Sequence, residues 1–202
     1  MAEQESSEAE RINYPARHGP FGSNNKHHVV CEKWKNYAIR SPYVKFMLES
    51  MKKLGCEVNI EKQLVCEPCS GNVLGGFDSR ASQIVLCENT IYSPGCMKDV
   101  LTHELIHAYD HCRAHVDWRN IHHLACSEIR AANLSGDCFF WKENLARFNF
   151  GLKQHQQKCV KDRAVKSILC VMDVDENEAR NAVDTVFDSC FADLDPFDRI
   201  PP

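Results

Sequence analysis

The chain has no run of about eighteen apolar residues, the length needed to cross a bilayer, so none of its segments reads as a membrane span. It also lacks an excess of positive charge. With a formal net charge of -4 over 202 residues, attraction to phosphate cannot drive its binding, and no nucleic-acid partner is expected. The basic run Lys153, Lys158, Lys161, Arg163 and Lys166 reads as a solvated helix face. Met1-Ala2-Glu3-Gln4-Glu5-Ser6-Ser7-Glu8 has no apolar signal core and is too acidic for an Arg-rich presequence. There is no internal repeat and no low-complexity tract.

Cysteine, by contrast, is abundant. Twelve cysteines suggest disulfides and an oxidising compartment. Without a secretory signal, the compartment that reconciles these facts is the mitochondrial intermembrane space, where oxidative folding can retain a protein. The alternative is a reduced cytosolic or nuclear protein whose thiols pack as small apolar groups. Cys66-Glu67-Pro68-Cys69 is a single C-x-x-C, with no second pair to complete a four-thiolate site and no thioredoxin-like pattern around it. Structural disulfides are therefore expected there, with a connectivity that spacing does not reveal.

The most informative stretch is His103-Glu104-Leu105-Ile106-His107. Histidines four apart on a helix lie about 40° apart around the axis and about 6 Å apart along it, so both rings can reach one metal ion. Glu104 then points beside the metal, where it can accept a proton from a water whose pKa zinc has lowered. Ser93-Pro94-Gly95 reads as a turn, and Met97, Val100, Leu101, Leu105 and Ala108 follow at helical spacing, giving the motif an apolar back. Catalytic Glu104 and a zinc ion, Zn(2+), held by His103 and His107 make a metalloendopeptidase the leading reading.

The third ligand has several candidates. If the helix runs about two turns past His107 and the chain reverses around Asp117-Trp118-Arg119-Asn120, a returning helix brings Glu128 level with the histidines. His123 would stop about 7 Å short, and Asp110 lies about 10 Å along the axis from His103. Glu128 is the preferred ligand, with His123, His115 and Asp117 as alternatives. Asp110 fits better as a partner that orients the His107 ring. A metzincin site would need a histidine where the chain has Arg113.

Residues 1–28 are polar and interrupted by Pro15, Gly19, Pro20 and Gly22, and are expected to be disordered; residues 29–202 are read as a single metallopeptidase domain. Ser41-Pro42 opens a helix with Val44, Met47, Leu48, Met51 and Leu54 as its apolar stripe and Gly55 at its end. Residues 72–78 and 82–88 read as two strands, the second either forming the rim of the cleft, where an extended substrate could add to its edge, or serving as an ordinary sheet strand. Residues 160–171 and 176–194 read as helices, the latter opening with Asp175-Glu176-Asn177-Glu178 and placing Ala179, Val183, Val186, Phe187, Cys190 and Phe191 on one face. The expected class is α+β and zincin-like, with a small sheet against the active-site helix and further C-terminal helices.

These blocks carry a resemblance. Val100-Leu-Thr-His-Glu-Leu-Ile-His107-Ala-Tyr-Asp110, Ala114-His-Val-Asp-Trp118 and His123-Leu-Ala-Cys-Ser-Glu-Ile-Arg-Ala-Ala-Asn-Leu-Ser-Gly-Asp-Cys138 resemble the mitochondrial inner membrane protease and ATP synthase assembly factor family, which includes a Ku-binding protein. Gly71-Asn-Val-Leu-Gly-Gly-Phe-Asp78, Ser82-Gln-Ile-Val-Leu-Cys87 and Phe150-Gly-Leu-Lys-Gln-His155 are similar to further family blocks. The resemblance implies a peripheral protein on the intermembrane-space side of the mitochondrial inner membrane. Its implied partners are ATP synthase membrane-sector subunits, one processed from a precursor and the sector assisted in assembly without need of the catalytic glutamate. A non-catalytic assembly chaperone is thus the alternative function, and the Ku-binding name adds a weaker reading as a DNA-repair adaptor. Cys96 and Cys170 are additional to the family's cysteines.

Overall fold

A computed structural model describes residues 25–136, 138 and 152–200. Among them the chain forms α1 (Asn25–Ala38), α2 (Pro42–Lys53), α3 (Ile60–Gln63), β1 (Leu64–Glu67), β2 (Gly75–Asp78), β3 (Gln83–Cys87), α4 (Pro94–Arg113), α5 (Ile121–Leu134), α6 (Leu152–Val171) and α7 (Glu176–Ala192). The class is α+β. The stretch before Asn25, and the start of the family-like block at Phe150 and Gly151, lie outside the described residues. Helix α1 begins inside the stretch expected to be disordered. It is tied to the sheet, since His28 Nδ1 meets the buried Glu88 carboxylate at 2.8 Å.

Short polar side chains set the helix starts. Ser41 accepts from Val44 N at the head of α2, Ser93 from Cys96 N at α4, Asn120 from His122 N and His123 N at α5, and Asp175 from Glu178 N at α7. Each such cap contributes about 1 kcal/mol by satisfying amides that no helical carbonyl can reach. Pro42 and Pro94 follow their caps, where a missing N–H costs nothing. In α2, Val44, Met47 and Met51 are buried as expected. Leu54 instead stands 48% exposed, because it is the C-cap leading into Gly55, whose φ of +88° turns the chain away.

The sheet has the order β1-β3-β2. β1 runs parallel to β3 with Leu64 beside Ile84, and β2 runs antiparallel to it with Phe77 beside the same residue. Of the two readings of this stretch the ordinary sheet strand holds: β3 is paired on both edges, and the strand that lines the cleft is β2. β1 escaped the sequence reading because it is only four residues long and runs straight into Pro68-Cys69, which resembles loop.

Two apolar clusters form the core. One joins the sheet to α1, α2 and α4 through Met47, Leu64, Leu86, Met97, Leu101 and Leu105. The other joins α5, α6 and α7 through Ile129, Val160, Ala164, Ile168, Val183 and Phe187. Each fully buried side chain of this size contributes about 1.5–3 kcal/mol. Trp118, at the reversal between α4 and α5, packs against both clusters. The seam between α4 and α5 is where the candidate functional residues collect.

Five disulfides brace this frame: Cys31–Cys66, Cys56–Cys112, Cys69–Cys87, Cys126–Cys190 and Cys138–Cys159. The two cysteines of the C-x-x-C therefore bond elsewhere, not to each other. Cys96, which is buried, and Cys170, which is exposed, take no part in these five bonds. No helix among the described residues is long and apolar enough to cross a membrane.

Candidate metal centre

Helix α4 continues to Arg113, the chain reverses through a turn with Asn120 N→Asp117 O at 3.0 Å, and α5 returns alongside. Glu128 is thereby carried opposite His103 and His107. His103 Nε2 lies 3.5 Å from Glu128 Oε2, and His107 Nε2 lies 3.5 Å from Glu128 Oε1. Ligand atoms of the three residues all fall within 4.8 Å of one another.

That spacing fits a metal better than it fits hydrogen bonding. A charge-assisted N–H···O bond draws its atoms to about 2.7–2.9 Å, whereas two donors on one tetrahedral zinc, with bonds of about 2.0–2.2 Å, stand roughly 3.3–3.6 Å apart. Protonation agrees with this. Burial pushes His107 down to about 4 against the pull of Glu128, so its ring is neutral near pH 7. Burial works to raise the Glu128 carboxyl, but His107, His103 and a hydrogen bond from Ser167 outweigh it and hold the group below its ordinary value. A neutral His107 imidazole and an ionised Glu128 carboxylate are forms that bind a divalent cation.

Asp110 is buried on the same face of α4, but it does not touch the His107 ring. Ser127 stands between them, with Oγ 2.8 Å from His107 Nδ1 and donating to Asp110 Oδ2 at 2.9 Å. Burial raises the Asp110 carboxyl, opposed by Arg130, Arg113 and this hydroxyl. Ser127 was missed in the sequence. Its signal was the i, i+3, i+4, i+7 spacing of Leu124, Ser127, Glu128 and Ala131, all buried along α5.

The alternative ligands are elsewhere. His123 is exposed, and its Nδ1 accepts from Asp117 N at 3.1 Å within the turn. His115 and Asp117 are also exposed and do not join the three-residue cluster.

Glu104 is buried in the wall of a cavity of about 990 Å³ that also contains the three candidate ligands. β2 passes directly over it. A Cβ added to Gly75 would meet Val100 Cγ1 and Val85 O at 2.8 Å and Glu104 Cγ at 3.6 Å, so only glycine allows this approach. Phe77 and Trp118 form apolar walls, and α6 supplies Lys166 and Ser167 opposite.

The sequence matches the Peptidase M76 family over residues 29–198. The chain belongs to the Peptidase M76 family. A human relative named mitochondrial inner membrane protease ATP23 homolog is 60% identical over 162 residues, covering 80% of this chain and 65% of the relative. The chain thus spans slightly less than two thirds of that human protein. A Xenopus laevis protein of the same name is 59% identical over 183 residues, covering 90% of this chain and 76% of the relative. Mitochondrial inner membrane protease ATP23 of Mycosarcoma maydis is 42% identical over 197 residues, covering 84% of this chain and 90% of the relative. No solved structure matches this M76 chain.

Proposed function

We propose that this chain is a zinc metalloendopeptidase of zincin-like design, with His103, His107 and Glu128 as ligands and Glu104 as general base. The observation that carries the reading is the pair of 3.5 Å separations from Glu128 to the two histidines, inside the cavity that holds Glu104. Zinc bound there would act as a Lewis acid on the scissile carbonyl and lower the pKa of a nearby water. Glu104 takes the proton of the attacking water and later delivers it to the amine leaving group. Among the described residues β2 is the last strand on its side of the sheet and borders the cavity, so an extended peptide can align along it by backbone hydrogen bonds. Phe77 and Trp118 exclude water from the bond being cut.

The substrate is proposed to be the precursor of an ATP synthase membrane-sector subunit, with assistance to assembly of that sector as a second role. Support comes from the family-like blocks and from relatives named mitochondrial inner membrane proteases. The proposed location is the intermembrane-space side of the inner membrane, held peripherally, which suits a chain with five disulfides and no membrane-crossing helix among its described residues. The second reading, a non-catalytic chaperone for ATP synthase subunits, makes the opposite prediction for Glu104.

The test is cleavage of the precursor by purified protein, with and without zinc. Cleavage that chelation removes and zinc restores is expected. Zinc-independent cleavage, or none with a fully loaded protein, overturns the peptidase reading. Full rescue of an assembly defect by Glu104→Gln would favour the chaperone.

A further inference from the structure

Behind His107 a file of buried polar groups leads away from the cavity. Ser127 Oγ meets His107 Nδ1 at 2.8 Å and donates to Asp110 Oδ2 at 2.9 Å. Asp110 Oδ1 receives Arg130 Nε at 2.9 Å and Arg113 Nε at 3.1 Å. Arg130 is 1% exposed, and its other nitrogens donate to the backbone carbonyls of Asp193 and Asp195. The file therefore ends on the turn that follows α7, far along the chain from the histidine it serves.

The direction of each bond in this file is fixed by proton counting. A serine hydroxyl carries one proton and a guanidinium carries only donors. Asp110, flanked by two guanidiniums, is an acceptor for all its neighbours, so the Ser127 proton is committed to it. Ser127 Oγ can then meet His107 only as an acceptor, and the proton on that imidazole must sit on Nδ1. Nε2, the nitrogen 3.5 Å from Glu128, keeps its lone pair. The other tautomer would aim an N–H into the space between His107 and Glu128 and close it to a cation.

We propose that Ser127 is a positioning residue that sets the tautomer and ring plane of His107, with Asp110 acting only through it. The inference rests on the reading of His107 as a ligand, yet it makes a claim about the metal-free protein that can be checked separately. Asp110→Asn is the informative partner variant. An asparagine amide can donate to Ser127 Oγ, which frees the hydroxyl proton to turn toward His107 and reverses the tautomer without removing any ligand.

Two-bond 15N–1H correlation spectra of zinc-free protein at pH 8 report which His107 nitrogen carries the proton. Wild type is expected to show Nδ1–H, while Asp110→Asn gains Nε2–H and Ser127→Ala shows a mixture. Zinc affinity, measured by competition with a chromophoric chelator, is expected to fall about 10- to 100-fold in Ser127→Ala. The same variant should alter the visible spectrum of cobalt-substituted protein. Nε2–H in wild type overturns the proposal, as does unchanged zinc affinity in a folded Ser127→Ala. Should the wild type show Nδ1–H but bind no zinc, the metal reading fails while the relay stands.

Discussion

Cys126 is bonded to Cys190, which staples to α7 the face of α5 that points away from Glu128. Helix α5 thus sits between two constraints: a covalent one on its outer face and the polar seam with α4 on its inner face. Ile129 and Ala125 fill the space beside the staple. This sandwich backs the helix that carries Glu128 to the histidines, alongside the hydrogen bond the carboxylate takes from Ser167.

Replacing that pair, as Cys126→Ser with Cys190→Ser, is expected to lower unfolding stability by about 2–5 kcal/mol. Denaturant titration of the oxidised protein measures this, and zinc affinity measured alongside should fall as α5 gains freedom. An unchanged affinity would mean that the seam with α4 alone holds Glu128 in place.

Glu104→Gln keeps the shape of the side chain and removes its basicity. Zinc content is expected to match wild type, because Glu104 is not among the three residues whose donor atoms cluster. Cleavage should fall about 100- to 10,000-fold, the range for loss of a general base. Metal analysis and precursor cleavage on the same preparation separate the two effects.

How far the site was legible depended on whether a signal was local. The two histidines and Glu104 share one helical turn, so spacing alone placed them. Glu128 followed because the turn at Asp117–Asn120 fixes how far α5 must travel back, which is arithmetic on helical rise. The place of Ser127 between His107 and Asp110 needed the rotation of α5 about its own axis, which is set by packing against α6 and α7. The place of β3 at the centre of the sheet depended on β1, whose partner lies across intervening chain and leaves no periodic trace. The disulfides behaved similarly: Cys66 and Cys69 are neighbours in sequence, yet their partners are Cys31 and Cys87.

Asp193 ties the C-terminal turn to α4, with its carboxylate 2.5 Å from Arg113 Nη2. Burial works to raise its carboxyl, but the Arg113 hydrogen bond and the Arg130 and Arg113 charges hold it below the ordinary aspartate value. Its contribution to stability is therefore complete above the unfolded-state pKa and is lost as pH falls through the lower folded value. Denaturant midpoints should drop below about pH 4 in wild type, and the drop should be shallower in Asp193→Asn. Parallel pH profiles for the two proteins would exclude this group as a source of acid sensitivity.

Gly75→Ala tests whether the approach of β2 to α4 matters for chemistry or only for packing. The new methyl would overlap both Val100 Cγ1 and the Val85 carbonyl at 2.8 Å, so β2 must lift away or α4 must yield. Either response costs about 1–3 kcal/mol, as for other overpacked sites. Because Glu104 Cγ is the next neighbour at 3.6 Å, the displacement is passed to the base and to the strand edge proposed to align the peptide. Turnover and KM are both expected to worsen while zinc affinity stays near wild type, since no ligand borders the added methyl. A loss of stability with unchanged kinetics would assign the glycine to packing alone.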